Sequence, residues 1–80
     1  MAMAFVMIST EIGAEKDVLA KLKEVEGVTE AYIVYGVYDL IVKIKTEDQT
    51  KLKDIITKNI RKMDKVRSTL TMIVVEGFQK

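Results

Sequence analysis

One acidic residue stands in an unusual place, because β-strands are generally poor in Asp. Asp39 lies between Tyr38 and an apolar run, three residues after Gly36. Its plainest interpretation is a turn cap that accepts hydrogen bonds from nearby backbone N–H groups. A carboxylate at the mouth of a turn can also bind an ammonium group through a charge-assisted hydrogen bond.

Hydroxyl groups cluster in a second stretch, which contains Ser68, Thr69 and Thr71. Thr favours strands by itself, so β-propensity alone would also explain this cluster. Two tyrosines, Tyr35 and Tyr38, flank the Gly36 turn. Each combines an apolar ring with a hydroxyl, and packing at an interface would account for both of them.

Together these groups predict a small pocket for a zwitterionic amino acid. Asp39 would bind the ammonium group, and hydroxyls with backbone N–H groups around Gly36 would bind the carboxylate. The tyrosine rings would form an apolar wall for the ligand side chain. Each residue also has the purely structural explanation given above, and the pattern leaves both open.

Enzyme chemistry finds little support in the composition. The 80 residues include no His and no Cys. The chain therefore lacks the commonest general base near neutral pH, a thiolate nucleophile and the commonest transition-metal ligands. It contains no Gly-rich phosphate-binding loop, and its carboxylate pairs, such as Glu47-Asp48, fall beside solvated helices. We expect a protein that is not an enzyme, with no cofactor and no bound metal.

The charges nearly cancel, since 13 basic and 12 acidic residues give a net charge of +1. Proteins whose main role is to bind DNA or RNA phosphates carry an excess of basic residues, so we expect no direct DNA binding. The densest basic cluster is interpreted as a solvated helix end. Its members are Lys58, Arg61, Lys62, Lys65 and Arg67.

No apolar run is long enough to span a membrane, and the N-terminal residues lack the basic region of a signal peptide. We therefore expect a cytoplasmic protein with no membrane partner. The charged fraction of 31%, rich in Lys and Glu, is typical of thermophilic proteins.

Hydrophobic periodicity divides the chain into six elements. Apolar runs rich in β-branched residues predict four strands, over residues 4–12, 28–35, 38–45 and 66–75. Helical spacing predicts two helices, over residues 14–25 and 47–63, the second capped by Thr46. Gly36-Val37 predicts a short turn between the two middle strands. This βαββαβ order predicts an α+β, ferredoxin-like sandwich, a four-stranded antiparallel sheet with two helices on one face.

The predicted strands are apolar on both sides. In the first strand, Phe5 and Met7 alternate with three other apolar residues, and in the second, Val28 is expected on the same side as Tyr32. Helices on one face would leave the other apolar face bare, which monomers seldom tolerate. A chain this short also gains limited stability from its own core. We therefore predict that two copies pack sheet against sheet.

Several spaced motifs resemble the effector-binding domain of the leucine-responsive (Lrp/AsnC, feast/famine) transcription regulators. They are Glu26-Gly27-Val28, Gly36-Val37-Tyr38-Asp39 and Val66-Arg67-Ser68-Thr69-Leu70-Thr71, and the first strand and helix also fit. The resemblance implies a ferredoxin-like fold that pairs through its sheets as a homodimer. It also implies further assembly into rings such as octamers, with an amino acid bound between subunits near the hairpin loop.

The resemblance also implies a set of ligand-binding residues. They are Gly36, Tyr38 and Asp39 on the loop, Ser68, Thr69 and Thr71 on the last strand, and the adjacent Tyr35 and Leu40. Family regulators carry an N-terminal helix-turn-helix domain, and residues 1–80 are expected to form one ligand-binding domain without it.

Three functions follow from this resemblance and from the apolar sheet. The first is an amino-acid-sensing and oligomerisation module that modulates transcription through assembly with full-length Lrp/AsnC-type regulators. The second is a ligand-free assembly partner of a larger regulator. The third is an ACT-like regulatory domain that acts on a metabolic enzyme, for which side-by-side pairing of sheets would be diagnostic.

Overall fold

The computed structural model describes all 80 residues. Its elements are β1 (Ala2–Thr10), α1 (Glu15–Leu22), β2 (Val28–Ile33), β3 (Leu40–Thr46), α2 (Gln49–Ile55), a π-helical turn (Ile56–Ile60) and β4 (Val66–Ile73). The strands form one antiparallel sheet in the order β2-β3-β1-β4. This arrangement confirms the predicted α+β sandwich.

The core lies between one face of the sheet and the two helices. In β1 every second residue is buried, because alternate side chains of a strand point to opposite faces. The helices contribute the stripes that their spacing predicted. The core cluster consists of Ala2, Ala4, Val6, Ile8, Val18, Leu22, Leu40, Val42, Ile44, Leu52, Ile56 and Ile60.

The second helix begins later than predicted, and its cap is a different residue. Thr46 pairs with Ala2 at the end of β3, which holds it in the sheet and makes the predicted Thr46 cap wrong. Asp48 is the N-cap instead, with an extended backbone and a carboxylate that accepts a hydrogen bond from the Lys51 N–H at 2.8 Å. This arrangement satisfies one of the free N–H groups of the first turn.

The same helix ends in a π-helical turn, three residues before the predicted end at Met63. The Arg61 N–H donates to the Ile56 carbonyl oxygen at 2.9 Å, across five residues. A π turn widens the helix by one residue per turn, and such turns are frequent at functional sites. Here it leaves Ile56 and Ile60 buried and shifts the residues that follow.

The connection between β2 and β3 is longer than the predicted two-residue turn. The last strand pair is Ile33 with Leu40, so residues 34–39 form the loop. The Val34 N–H donates to the Asp39 carbonyl oxygen at 2.8 Å, which closes the base of this loop. The hairpin itself is confirmed.

All four strands differ from the predicted bounds. β3 begins at Leu40 and not at residue 38, β4 ends at Ile73 and not at residue 75, and β2 ends at Ile33 and not at residue 35. β1 ends at Thr10 and not at residue 12, because the Glu11 N–H donates to the Lys65 carbonyl oxygen at 2.9 Å and the chain then turns. In β2 the partner of Val28 is Ile44 and that of Glu30 is Lys43, so Thr29 is an extra residue. This bulge breaks the alternation of side chains. Val28 therefore lies on the helix side and Tyr32 on the other side, whereas the two were predicted to share one side.

Gly27 is the position where the fold most clearly requires glycine. Its φ is +96°, and a Cβ at this position would lie 2.8 Å from Cδ1 of Ile55. We expect Gly27→Ala to lower the free energy of unfolding by about 1–3 kcal/mol, through backbone strain and displaced packing.

Two control substitutions separate these causes in urea denaturation. Gly13→Ala shares the positive φ, at +81°, but meets nothing within 4 Å, so it should cost less than Gly27→Ala. Gly77→Ala meets nothing and has no positive φ, and its effect should stay within about 0.5 kcal/mol. Equal losses for all three variants would contradict the packing argument.

Candidate functional site

Asp39 joins the hairpin loop to the end of β1. Its Oδ2 accepts a hydrogen bond from the Thr10 N–H at 2.9 Å, and the Thr10 hydroxyl lies 3.4 Å from the same oxygen. The Asp39 N–H donates to the Ile8 carbonyl oxygen at 2.8 Å. The carboxylate thus caps a backbone N–H, as the plain interpretation expects, but the donor is on β1 and not in the turn.

One carboxylate oxygen of Asp39 remains available. Oδ1 accepts no hydrogen bond from the protein, and the residue is half-buried. Because the loop is tied at Val34 and at Ile8, this oxygen is held in a fixed position at the end of the sheet. It can accept a hydrogen bond from an ammonium group without breaking the bond to Thr10.

The hydroxyls of β4 lie at the same end of the sheet but on two faces. Thr69 pairs with Ile8 and Thr71 pairs with Val6, so both lie on the helix side. Ser68 pairs with Ser9 on the opposite side. β1 separates β3 from β4, so the backbones of these two strands are about 10 Å apart, and the Asp39 carboxylate reaches only as far as Thr10 of β1.

A single chain therefore does not enclose the predicted pocket. Ser68 and Thr69 line a cavity of about 280 Å³, together with Arg61, Val66 and Arg67. Asp39 is not among its lining residues.

The other predicted ligand-binding residues differ in how far they are exposed to solvent. Tyr35 is fully exposed on the loop with Gly36, and Tyr38 is half-buried. Leu40 is fully buried in the core. The Leu40 side chain therefore cannot line a ligand site without unpacking the core, and only its backbone is placed near the loop.

One face of the sheet is covered by neither helix, and we call it the open face. Pairing sets two rows across it, Tyr32–Ile41–Met7–Leu70 and Glu30–Lys43–Phe5–Met72. The predicted alternation of Phe5 and Met7 with core residues is confirmed. Tyr32, Leu70 and Met72 are 54%, 44% and 43% exposed, which is unusual for an apolar surface of this extent in a monomer.

A small polar network crosses the open face. Lys43 Nζ lies 3.2 Å from Glu30 Oε2, and the Lys43 side chain is only 13% exposed. The Tyr32 hydroxyl donates to Glu30 Oε1 at 2.8 Å. The hydrogen bond from Tyr32, followed by the interaction with Lys43, lowers the pKa of the Glu30 carboxyl below its ordinary value. The same bond raises the pKa of Tyr32.

This network predicts a small acid-dependent contribution to stability. Because the pKa of Glu30 is lowered by folding, its contribution is present above the ordinary pKa of 4.5 and is lost as the pH falls through the folded-state value. Because Glu30 is exposed and solvent screens its interactions, we expect Glu30→Gln to lower the melting temperature only slightly at pH 7 and by less near pH 3. Thermal melts of both proteins across this pH range will measure it, and a difference that stays constant would contradict it.

Neither helix is long and apolar enough to cross a lipid bilayer.

Sequence comparison places this fold in a family. The Lrp/AsnC ligand binding domain matches residues 3–79. The chain belongs to the Lrp/AsnC ligand-binding domain family. This match confirms the resemblance to the Lrp/AsnC effector-binding domain that the hairpin and last-strand motifs indicated.

Curated relatives of this Lrp/AsnC domain include a regulator and an enzyme. The regulatory protein AsnC of Escherichia coli K12 is 34% identical over 59 residues, which is 74% of this chain and 39% of AsnC. The homocitrate synthase of Sulfolobus acidocaldarius is 40% identical over 52 residues, or 65% of this chain and 11% of that enzyme. The chain thus spans less than half the length of these relatives.

Solved structures agree with the fold. The crystal structure of FFRP-DM1 has a TM-score of 0.90 and 45% identity, and the match covers 94% of this chain and 100% of that chain. A feast or famine regulatory protein from M. tuberculosis, complexed with L-methionine, has a TM-score of 0.80 and 26% identity. That match covers 100% of this chain and 54% of the other.

Proposed function

We propose that this Lrp/AsnC domain is a non-enzymatic, amino-acid-sensing module that works as an oligomer. The observation that carries the proposal is the fixed Asp39 carboxylate, which keeps Oδ1 available at the end of the sheet. The ligand ammonium would bind this oxygen. The complex of a related feast or famine regulatory protein with L-methionine supports an amino acid as the ligand class.

The ligand would sit between subunits. Asp39, Gly36 and the half-buried Tyr38 would come from one protomer, with Tyr35 and the Leu40 backbone beside them. A neighbouring protomer would supply the hydroxyls of Ser68, Thr69 and Thr71 to the ligand carboxylate, because the two sets lie apart within one chain. Binding and assembly are therefore coupled in this proposal, since an incomplete pocket binds less tightly.

The open face supports assembly as a homodimer. A two-fold interface places a surface against its own copy, so its charges must not repel one another. On the open face the charges of Glu30 and Lys43 neutralise each other. The other residues of the two central strands on this face, Phe5, Met7 and Ile41, carry no charge. Further association of dimers into a ring such as an octamer would bring the loops and β4 of neighbouring dimers together.

Calorimetry with each of the twenty amino acids tests the proposed ligand class. We expect saturable heat for at least one apolar amino acid, and thermal melting of the same complex should occur at a higher temperature. A protein that is folded and oligomeric yet shows no saturable heat with any amino acid would overturn the sensing function. It would favour a ligand-free assembly partner of a larger Lrp/AsnC-type regulator.

A regulatory domain for a metabolic enzyme is a second candidate, and the match to 11% of a homocitrate synthase favours it. The way in which the sheets of two copies pair distinguishes an ACT-like regulatory domain from the proposed open-face dimer. An ACT-like assembly joins the edge strands β2 and β4 side by side, whereas the proposed homodimer joins open faces. Cross-linking between cysteines introduced at Met72 of two copies would support the open-face dimer, and cross-linking only along β4 edges would support the alternative.

A further inference from the structure

Two local irregularities of the backbone meet at the start of β4. Arg61 directly follows the π-helical turn, and its N–H is bonded to the Ile56 carbonyl oxygen. Arg67 lies in a β-bulge, because Ser68 pairs with Ser9 while Val66 pairs with Thr10. Bulges and π turns both redirect side chains, and both are frequent next to functional sites.

The two arginines line the same cavity. We call it the Arg cleft, and its lining residues are Arg61, Val66, Arg67, Ser68 and Thr69, around about 280 Å³. Neither guanidinium is in an ion pair, since the two ion pairs of the chain use Lys43 and Lys65. The hydroxyls of Ser68 and Thr69 likewise make no hydrogen bond to the protein.

The segment that contains both arginines is the most basic in the chain, although its Lys65 is ion-paired with Asp17. Residues 58–67 include five basic residues and one acidic residue, Asp64, which gives a charge of +4. Because the whole chain carries +1, the remaining residues together carry −3. The positive potential of this segment would raise the local concentration of small anions.

We propose that the Arg cleft binds a small oxyanion. A guanidinium offers parallel N–H donors that match the oxygens of a carboxylate or a phosphate, and two hydroxyls add further donors. No carboxylate lines the cleft, so it has no group for an ammonium. The cleft shares Ser68 and Thr69 with the proposed amino-acid pocket. It is distinguished from that pocket because it needs both arginines and does not need Asp39.

Calorimetric titration of the full-length protein tests this site with two probes, inorganic phosphate and acetate. Both are titrated at constant ionic strength against chloride. We expect saturable binding of at least one probe with a dissociation constant on the order of 1 mM, as befits a few exposed charge-assisted hydrogen bonds. Binding of phosphate alone assigns a phosphate-type ligand, and binding of acetate assigns a carboxylate ligand as well.

Charge-matched variants show whether the cleft itself binds. Arg67→Gln and Arg61→Gln should each weaken binding by about tenfold or more, because each removes a bidentate donor. Lys58→Gln removes the same charge from the same segment, but Lys58 does not line the cleft, so binding should change less than about twofold. Equal weakening by all three variants, or no saturable heat with either probe, would overturn the proposal.

The outcome is separable from that of the amino-acid proposal. Asp39→Asn should leave oxyanion binding unchanged, while it should remove amino-acid binding. If amino acids bind and neither anion does, the Arg cleft proposal fails and the sensing function stands. If the anions bind and no amino acid does, the sensing function fails and the Arg cleft proposal stands.

Discussion

Leu70→Glu should convert the proposed open-face dimer into a folded monomer. Leu70 lies on the open face beside Met7, and it is 44% exposed in the single chain. In a two-fold interface both copies carry the substitution, so two carboxylates would be buried against apolar surface without a basic residue to pair with. An unpaired buried charge costs about 3 kcal/mol or more, so the dissociation constant of the dimer should rise by at least about 100-fold.

Multi-angle light scattering at several protein concentrations will measure this change. Circular dichroism should stay that of the wild type, because Leu70 is outside the core cluster. Ile12→Glu is the matched control, since Ile12 is 99% exposed and lies outside the sheet. If Leu70→Glu assembles like the wild type, or if the wild type is itself a monomer at micromolar concentration, the open-face dimer is wrong.

Asp39 should show two separable effects, one on stability and one on binding. In Asp39→Ala the N–H of the buried Thr10 loses its acceptor, and this should cost about 1–3 kcal/mol of unfolding free energy. In Asp39→Asn the amide oxygen can still accept from Thr10, so the protein should stay near wild-type stability. Both variants lose the negative charge that the proposed ammonium site requires.

Amino-acid binding should therefore fall by at least about 30-fold in Asp39→Asn, because a charge-assisted hydrogen bond contributes more than 2 kcal/mol in a closed pocket. Calorimetry with the best-bound amino acid and urea denaturation of the same samples measure the two effects. Asp48→Asn is a control, because Asp48 caps α2 at the other end of the sheet. An Asp39→Asn protein that binds the amino acid like the wild type would rule out Asp39 as the ammonium site.

The fold could be predicted because hydrophobic period and element order are local properties. The alternation through β1 is as predicted, and Leu52, Ile56 and Ile60 are buried at the helical spacing that predicted the second helix. The errors lie where contacts distant in sequence decide the local structure. Pairing with Ala2 keeps Thr46 in a strand, so Asp48 becomes the cap. Likewise, the bond from Thr10 draws Asp39 to β1 and lengthens the loop.

The candidate site was harder to predict than the fold. Residue types alone suggested that Asp39 and Thr69 share a pocket, but the strand order that places β1 between them cannot be read from either motif. The Arg cleft was missed for a similar reason. Arg61 and Arg67 were interpreted as a solvated helix end, whereas the structure places one after a π turn, the other in a bulge, and both at one cavity. The sequence signal that could have indicated the cleft is the excess of basic over acidic residues just before the last strand.

The bulge at Arg67 also bears on how this sheet avoids pathological growth. β4 is an edge strand, and a long regular edge is a template for fibril formation. The register shift opposite Ser9 and Thr10 makes the start of that edge irregular and places Arg67 there, while Ser68 to Ile73 stay in regular register. An incoming strand would meet both a kink and a charge. The bulge would thus hinder the addition of a further strand at the start of this edge.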